Sequence, residues 1–237
     1  MRAGLAVFER RRQDILSIGY EAEQQGELAE LLSWASSEDV SARELSAREL
    51  ADQADSTQHE GLVLQVRPRV WLAPKDLPAA LLAQRGLGVA LDRVRNPQNI
   101  GAILRSAAFF GAQAALLGAP APHPGLPPFA LRVAEGAAEH LSFSRTTDLA
   151  DTLARLRSAG VHIIGADTHA QGDADDVKVP GAALLVLGHE REGLGPRIRS
   201  QCDALVSIRG SGAVESLNVA VAAGVLFAQL RRAREGR

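Results

Sequence analysis

Residues 87–118, LGVALDRVRNPQNIGAILRSAAFFGAQAALLG, decide the fold. The stretch opens on one apolar run, LGVAL, and closes on another, AALLG. Between them, Ile100, Leu104, Ala107 and Gly111 recur at helical spacing and predict one buried stripe. Pro97 presets φ for the first helical turn, and Gly101 permits close backbone packing. Run, helix and run predict a β-α-β unit, and strands apolar throughout predict a parallel sheet covered on two sides. The alternation continues to the C terminus through FALRVAEGAAEHL, DLADTLARLRSAG, VHIIGAD, AALLVLG, GPRIRSQCD and ALVSI, before a closing helix over about 216–234. The expected class is α/β, a parallel sheet with helices on both faces.

Upstream the texture differs. Residues 1–83 hold 9 basic and 14 acidic side chains, whereas the remainder holds 17 basic and 14 acidic. Acidic residues recurring among Ala and Leu over 21–60 predict solvated amphipathic helices, and GLVLQV at 61–66 predicts a strand. Pro68, Pro74 and Pro78 interrupt any period, which places a linker at 73–83 between a small α/β domain, 1–72, and a larger one, 84–237.

Across all 237 residues the net charge is -2, so nucleic acid can be met only by a local basic patch. One cysteine, Cys202, forbids an internal disulfide and excludes cysteine-rich zinc modules, which suits a reducing compartment and makes the cytoplasm the expected location. The longest apolar run, 219–228, has ten residues, half of the roughly 20 that a membrane span needs. The first twenty residues carry Arg10, Arg11 and Arg12 with no apolar segment behind them, so no secretory signal is expected. His59, His123, His140, His162, His169 and His189 show no metal-ligand spacing, and no metal is expected.

Ligands of parallel sheets lie beyond the carboxyl ends of the strands. Three segments there pair glycine with polar side chains. In the first, Asn99 and Arg105 are six residues apart, about 240° around a helix, so one face cannot present both to one atom. Taken alone, Asn99 reads as a cap and Arg105 as a surface ion pair. In the second, LGHEREGLG, Gly188 and Gly193 let backbone approach a flat ligand, and Glu190 is suited equally to a ligand or to a helix end. In the third, IRGSGAVESLNVA, Ser216 is the expected N-cap and Asn218 lies in the first turn of a helix apolar on every side. Such a helix must be buried all round, which suggests a subunit interface. Neither GxGxxG nor GxxxxGK[ST] occurs, which counts against an ordinary Rossmann nucleotide-binding enzyme.

NPQNIGAILRSA, LVLGHEREGLG and SIRGSGAVESLNVAVAAG, in this order and at these strand ends, resemble the three motifs of the SpoU (TrmH-like, SPOUT superfamily) RNA 2′-O-ribose methyltransferases. AEGAAEHL resembles that family too. AVFERR together with STQHEGLVLQV resembles the small substrate-binding domain that precedes the catalytic domain in its ribosomal-RNA members.

The resemblance implies S-adenosylmethionine as methyl donor, a homodimer, a C-terminal trefoil knot and RNA as substrate, with ribosomal RNA favoured and transfer RNA the alternative. It also implies that Asn99, Arg105, Glu190, Ser216 and Asn218 are the catalytic positions. Ala166, Gly188, Ile208 and Leu217 would hold the cofactor. The family's usual proline in the third motif is Arg209 here. That substitution leaves open a non-catalytic RNA-binding protein that keeps the fold. The expected phosphate-binding patch comprises Arg93, Arg95, Arg105, Arg132 and Arg209, with Arg10, Arg11 and Arg12 on the small domain and a basic RRAREGR end.

Overall fold

A computed structural model describes residues 1–118 and 126–235; His123 and the last two residues lie outside them. The chain divides into two compact units, Met1–Arg69 and Val70–Arg237.

The first unit runs α1 (Arg2–Arg11), β1 (Ile15–Tyr20), α2 (Ala29–Ser37), β2 (Ser41–Glu44), α3 (Ala47–Ala54) and β3 (Leu62–Val66). β1 is central, parallel to β2 and antiparallel to β3. Phe8, Ile18, Leu28, Leu31 and Ala35 form its core. Ser46 and Glu49 close a reciprocal capping box at the start of α3. The purely helical reading of 21–60 misses β2, whose four residues are all exposed. An edge strand that buries nothing is defined by its ladder to β1 and leaves no apolar period to read.

The second unit runs α4 (Leu77–Leu82), β4 (Leu87–Asp92), α5 (Pro97–Phe109), β5 (Ala112–Gly118), α6 (Pro128–Val133), β6 (Ser142–Thr146), α7 (Leu149–Ser158), β7 (His162–Ala166), β8 (Gly172–Asp173), β9 (Ala183–Leu187), α8 (Pro196–Arg199), β10 (Ala204–Ser207) and α9 (Val219–Glu235). Its seven strands lie in the order β6-β5-β4-β9-β7-β10-β8, every neighbouring pair parallel. Chain order and spatial order part company in the C-terminal half, where β9 inserts between β4 and β7 and β10 between β7 and β8. One face packs Leu91, Ile103, Leu104, Phe143 and Phe227 beneath α5, α6 and α9. The opposite face packs Leu77, Leu81, Leu153, Leu184 and Ile198 beneath α4, α7 and α8. The predicted sheet, covered on both sides, is the one found.

Several boundaries move. The units part at Arg69, ahead of the expected linker at 73–83, and that segment contains α4 with Leu77 and Leu81 fully buried. Pro78 lies in the first turn of α4, where its missing N–H is no loss, so a residue that reads as a breaker starts a helix. Gly111 is outside α5, at φ +82 in the turn that ends it, and so is no part of the buried stripe. FALRVAEGAAEHL is not one helix: α6 stops at Val133, and Glu135 (φ +46) and Gly136 (φ +85) turn the chain through the left-handed region. Ser216 is not the cap of α9; the helix starts at Val219, and the Asn218 side chain accepts from the Ala220 N–H at 2.8 Å. In the single chain, α9 buries Ala223, Leu226, Phe227 and Leu230 but leaves Val221 54% exposed, so it is not enclosed all round.

Cys202 follows α8. Its Sγ lies 3.4 Å from the Ile198 carbonyl and beside Gly165, where any side chain would collide with it. Burial pushes its thiol pKa up to about 11.

Candidate active site

Parallel register fixes where the loops emerge. Gly165 pairs with Val186 and Ala166 with Val206, so β7, β9 and β10 end together, and Ala166, Gly188 and Ile208 leave neighbouring strand tips. Ala166 and Ile208 are half-buried against the core beneath α9. Gly188 is held by contact: a Cβ there would lie 2.6 Å from the Gly193 carbonyl oxygen and 2.7 Å from the Leu194 nitrogen.

The three polar segments meet through side chains. Asn99, in the first turns of α5, is buried at 8% exposure. It is not the cap of that helix; Asn96 is, accepting from the Gln98 N–H at 2.9 Å. The Asn99 side chain donates from Nδ2 to Glu190 Oε1 at 2.9 Å, and its Oδ1 accepts from Asn218 Nδ2 at 3.1 Å. One hydrogen-bonded chain, Asn218 to Asn99 to Glu190, thus joins residues 91 and 119 positions apart in sequence.

Arg105 stands apart from it. As the six-residue spacing required, its guanidinium leaves by another face and pairs with Glu135 at 2.8 Å. Ser216 and Leu217 lie on the exposed loop ahead of α9, outside this hydrogen-bonded chain, and Leu217 is 45% exposed.

Two acidic partners escaped the reading of the sequence. Asp92 ends the fully buried strand β4 and is itself only 7% exposed. Arg93 follows at φ +60, with its Nε within 3.3 Å of Asp92 Oδ2, its Nη2 3.0 Å from the Gly193 carbonyl, and its Nη1 against Glu192. Those acids hold Arg93 protonated, the Asp92 hydrogen bond most strongly. A charged pair closing an otherwise apolar strand was the signal available. Glu135, the other missed acid, stands before Gly136 in AEGAAEHL.

Of the expected phosphate-binding arginines, Arg95 is exposed, Arg132 lies over the Phe129 ring at 4.9 Å, and Arg209 pairs with Asp173 at 2.6 Å. Arg93 differs from these in having its guanidinium enclosed by the acids around it. His189 Nδ1 accepts from the Arg191 and Glu192 N–H groups, a loop-shaping role. Among the described residues no three potential metal ligands cluster, and no helix is long and apolar enough to cross a membrane.

Residues 86–228, the span of the sheet and its loops, match the SpoU rRNA methylase family. A protein of Mycobacterium avium (strain 104), named as an uncharacterized tRNA/rRNA methyltransferase, is 35% identical over 222 residues, 93% of this chain and 71% of its own length. A similarly named protein of Mycobacterium tuberculosis (strain ATCC 25177 / H37Ra) is 36% identical over 220 residues, 92% of this chain and 67% of its own. The SpoU methyltransferase AviRb of Streptomyces viridochromogenes, crystallised with the cofactor AdoMet, superposes with a TM-score of 0.83 at 26% identity, covering 100% of this chain and 89% of that one. The fold and its gathered loops define an RNA methyltransferase. This chain belongs to the SpoU rRNA methylase family.

Proposed function

We propose that the chain transfers a methyl group from S-adenosylmethionine to a ribose 2′-hydroxyl of RNA, that ribosomal RNA is its substrate, and that it works in the cytoplasm as a homodimer. The observation that carries the reading is the hydrogen-bonded chain Asn218, Asn99, Glu190, which gathers the segments that follow β4, β9 and β10 at one end of the sheet.

The residues present fit the cofactor. Gly188, Ala166 and Ile208 leave the successive strands β9, β7 and β10, a run of small or apolar residues that suits a flat adenine ring, and Leu217 lies on the exposed loop that would cover it. When bound, S-adenosylmethionine supplies an electrophilic methyl group on a sulfonium. The reaction is an in-line displacement, so the protein has to fix the oxygen opposite the leaving sulfur and help the hydroxyl lose its proton.

Asn99 and Asn218, locked by each other and by Glu190, present fixed amides to the ribose, and Ser216 adds a hydroxyl from the loop. A guanidinium carries donors and no acceptor, so Arg105 is given a binding role and not that of the base. It grips the phosphate beside the target ribose, which requires an RNA phosphate to replace the Glu135 carboxylate. The exchange swaps one anion for another, so the guanidinium is never left unpaired. A 2′-hydroxyl requirement makes the substrate RNA rather than DNA.

The half-open side of α9, with Val221 exposed and Ala222, Val225 and Ala228 half-buried, supports a second copy as its cover. Insertion of β9 and β10 between earlier strands supports a chain threaded through its own loop, the trefoil knot of the family. The first unit, with Arg10 and Arg11 in the last turn of α1, would hold the RNA.

The test is methyl transfer from labelled S-adenosylmethionine to bulk RNA, followed by mapping of 2′-O-methyl sites in RNA from cells with and without the protein. One lost site in ribosomal RNA is expected. A lost site in transfer RNA moves the substrate, and cofactor binding without transfer turns the protein into an RNA-binding scaffold.

A further inference from the structure

We infer that Arg93 is a positioning residue, a three-way staple that holds the loop carrying Glu190 against the tip of β4. The inference rests on the reading of Glu190 as part of the active site. The loop 188–193 leaves β9 and folds back on itself, His189 bridging to Gly193, and Glu190 projects from it to Asn99. Asn99 ties the loop to α5 through Glu190. Arg93 ties it to the sheet, because one guanidinium reaches three anchors, one at the end of β4 and two on the loop: Asp92 Oδ2 at 3.2 Å and the Gly193 carbonyl at 3.0 Å, both from Nη2, and Glu192 from Nη1. A planar fork with several donors can span such a set, and a lysine ammonium cannot.

Electrostatics points the same way. Asp92, Glu190 and Glu192 bring three carboxylates to one end of the sheet, and Asp92 is buried. Arg93 is the cation that pairs with both Asp92 at the strand end and Glu192 on the loop. The backbone supplies a further argument. Arg93 sits at φ +60, a conformation that L side chains rarely adopt and glycine adopts freely. A large side chain kept at a glycine-like position is there for what its far end does. With its guanidinium engaged on three sides, Arg93 shapes the site instead of meeting RNA phosphate.

That backbone angle guides the test. Arg93→Gly removes the staple while relieving the backbone; it also leaves the buried Asp92 without its cation, so Arg93→Gly is read together with Asp92→Asn, and far-ultraviolet dichroism checks that the fold is native in both. Amide hydrogen exchange at Arg191, Glu192 and Gly193 should accelerate about tenfold or more, the range of local opening. In the same variant kcat should fall about tenfold, with KM for RNA within twofold of wild type, because a misplaced group loses turnover rather than binding. Arg93→Lys should recover only part of the loss, and Glu192→Gln should accelerate the same amides by a smaller factor. Unchanged exchange and unchanged kcat in Arg93→Gly would overturn the staple. So would a raised KM for RNA and a flattened salt response at normal kcat, which would make Arg93 a phosphate contact. If the wild-type protein transfers no methyl group, the functional reading fails, and the exchange data still decide the staple on their own.

Discussion

Two walls of one site are built in opposite ways. The loop 188–193 is braced from within by the His189 ring, which accepts two backbone N–H groups, and by the Gly193 N–H donating to the His189 carbonyl at 2.8 Å. It is braced from without by Arg93 and Asn99. The loop from Arg209 to Asn218 is exposed along its length; between the Arg209–Asp173 pair at its start and Asn218 at its end, which bonds Asn99 and the Ala220 N–H, it carries a weak Ser211 turn. The contrast teaches a division of labour. One wall is braced along its length and the other is tied mainly at its two ends; on the proposed reading, a ligand or a second subunit would complete the latter, at a cost in ordering entropy at that moment.

The largest effect should come from cutting the tie between the walls. Asn99→Ala and Asn218→Ala should each lower turnover at least about a hundredfold, the scale of one lost catalytic contact, while calorimetry shows cofactor binding largely retained. Near-normal turnover in both variants would remove these residues from the site. Gly188→Ala attacks the braced wall alone. Its new Cβ meets the Gly193 carbonyl at 2.6 Å, so cofactor affinity should fall about tenfold or more while the far-ultraviolet dichroism stays native.

The exposed arginines sharpen the other side of the comparison. If three phosphates are gripped by groups such as Arg95, Arg105 and Arg209, RNA affinity should fall roughly twentyfold between 50 and 200 mM salt, from a slope of about -0.7 per contact on single strands. A flat response in a filter-binding assay would refute the patch. The smallest effect belongs to Arg209→Pro, which stiffens the bare wall at the position where the family usually has proline. It should raise cofactor affinity about twofold by removing loop freedom, with kcat for saturating RNA little changed. Weaker cofactor binding would show instead that the loop needs the mobility it has.

The sheet was legible because burial on both faces writes continuous apolar runs, and β4, β5, β7 and β9 stand where LGVAL, AALLG, VHIIGAD and AALLVLG predict. β2 and β6 were not, since SARE and SFSRT lie at sheet edges and carry polar residues in place of a continuous apolar run, the fully buried Ser144 among them. The loop chemistry was legible as a set of residue types at strand ends. Their wiring was not: Asn99 finds Glu190 and Asn218 only once the sheet has folded, and Arg105 finds Glu135 through a left-handed turn that the helical period conceals. Spacing could exclude a shared face for Asn99 and Arg105, but it could not name the partner that each would take.

Cys202 turns the chain's single thiol into a built-in clock for the strand ends. With its proton held up to about 11 and its sulfur half-buried against Gly165, alkylation of the native protein at neutral pH should be slow and should quicken when α8 loosens from β7. No label has to be engineered to time that breathing: the rate at which iodoacetamide consumes this one sulfur, with and without S-adenosylmethionine, reports how often the packing of α8 on β7 loosens.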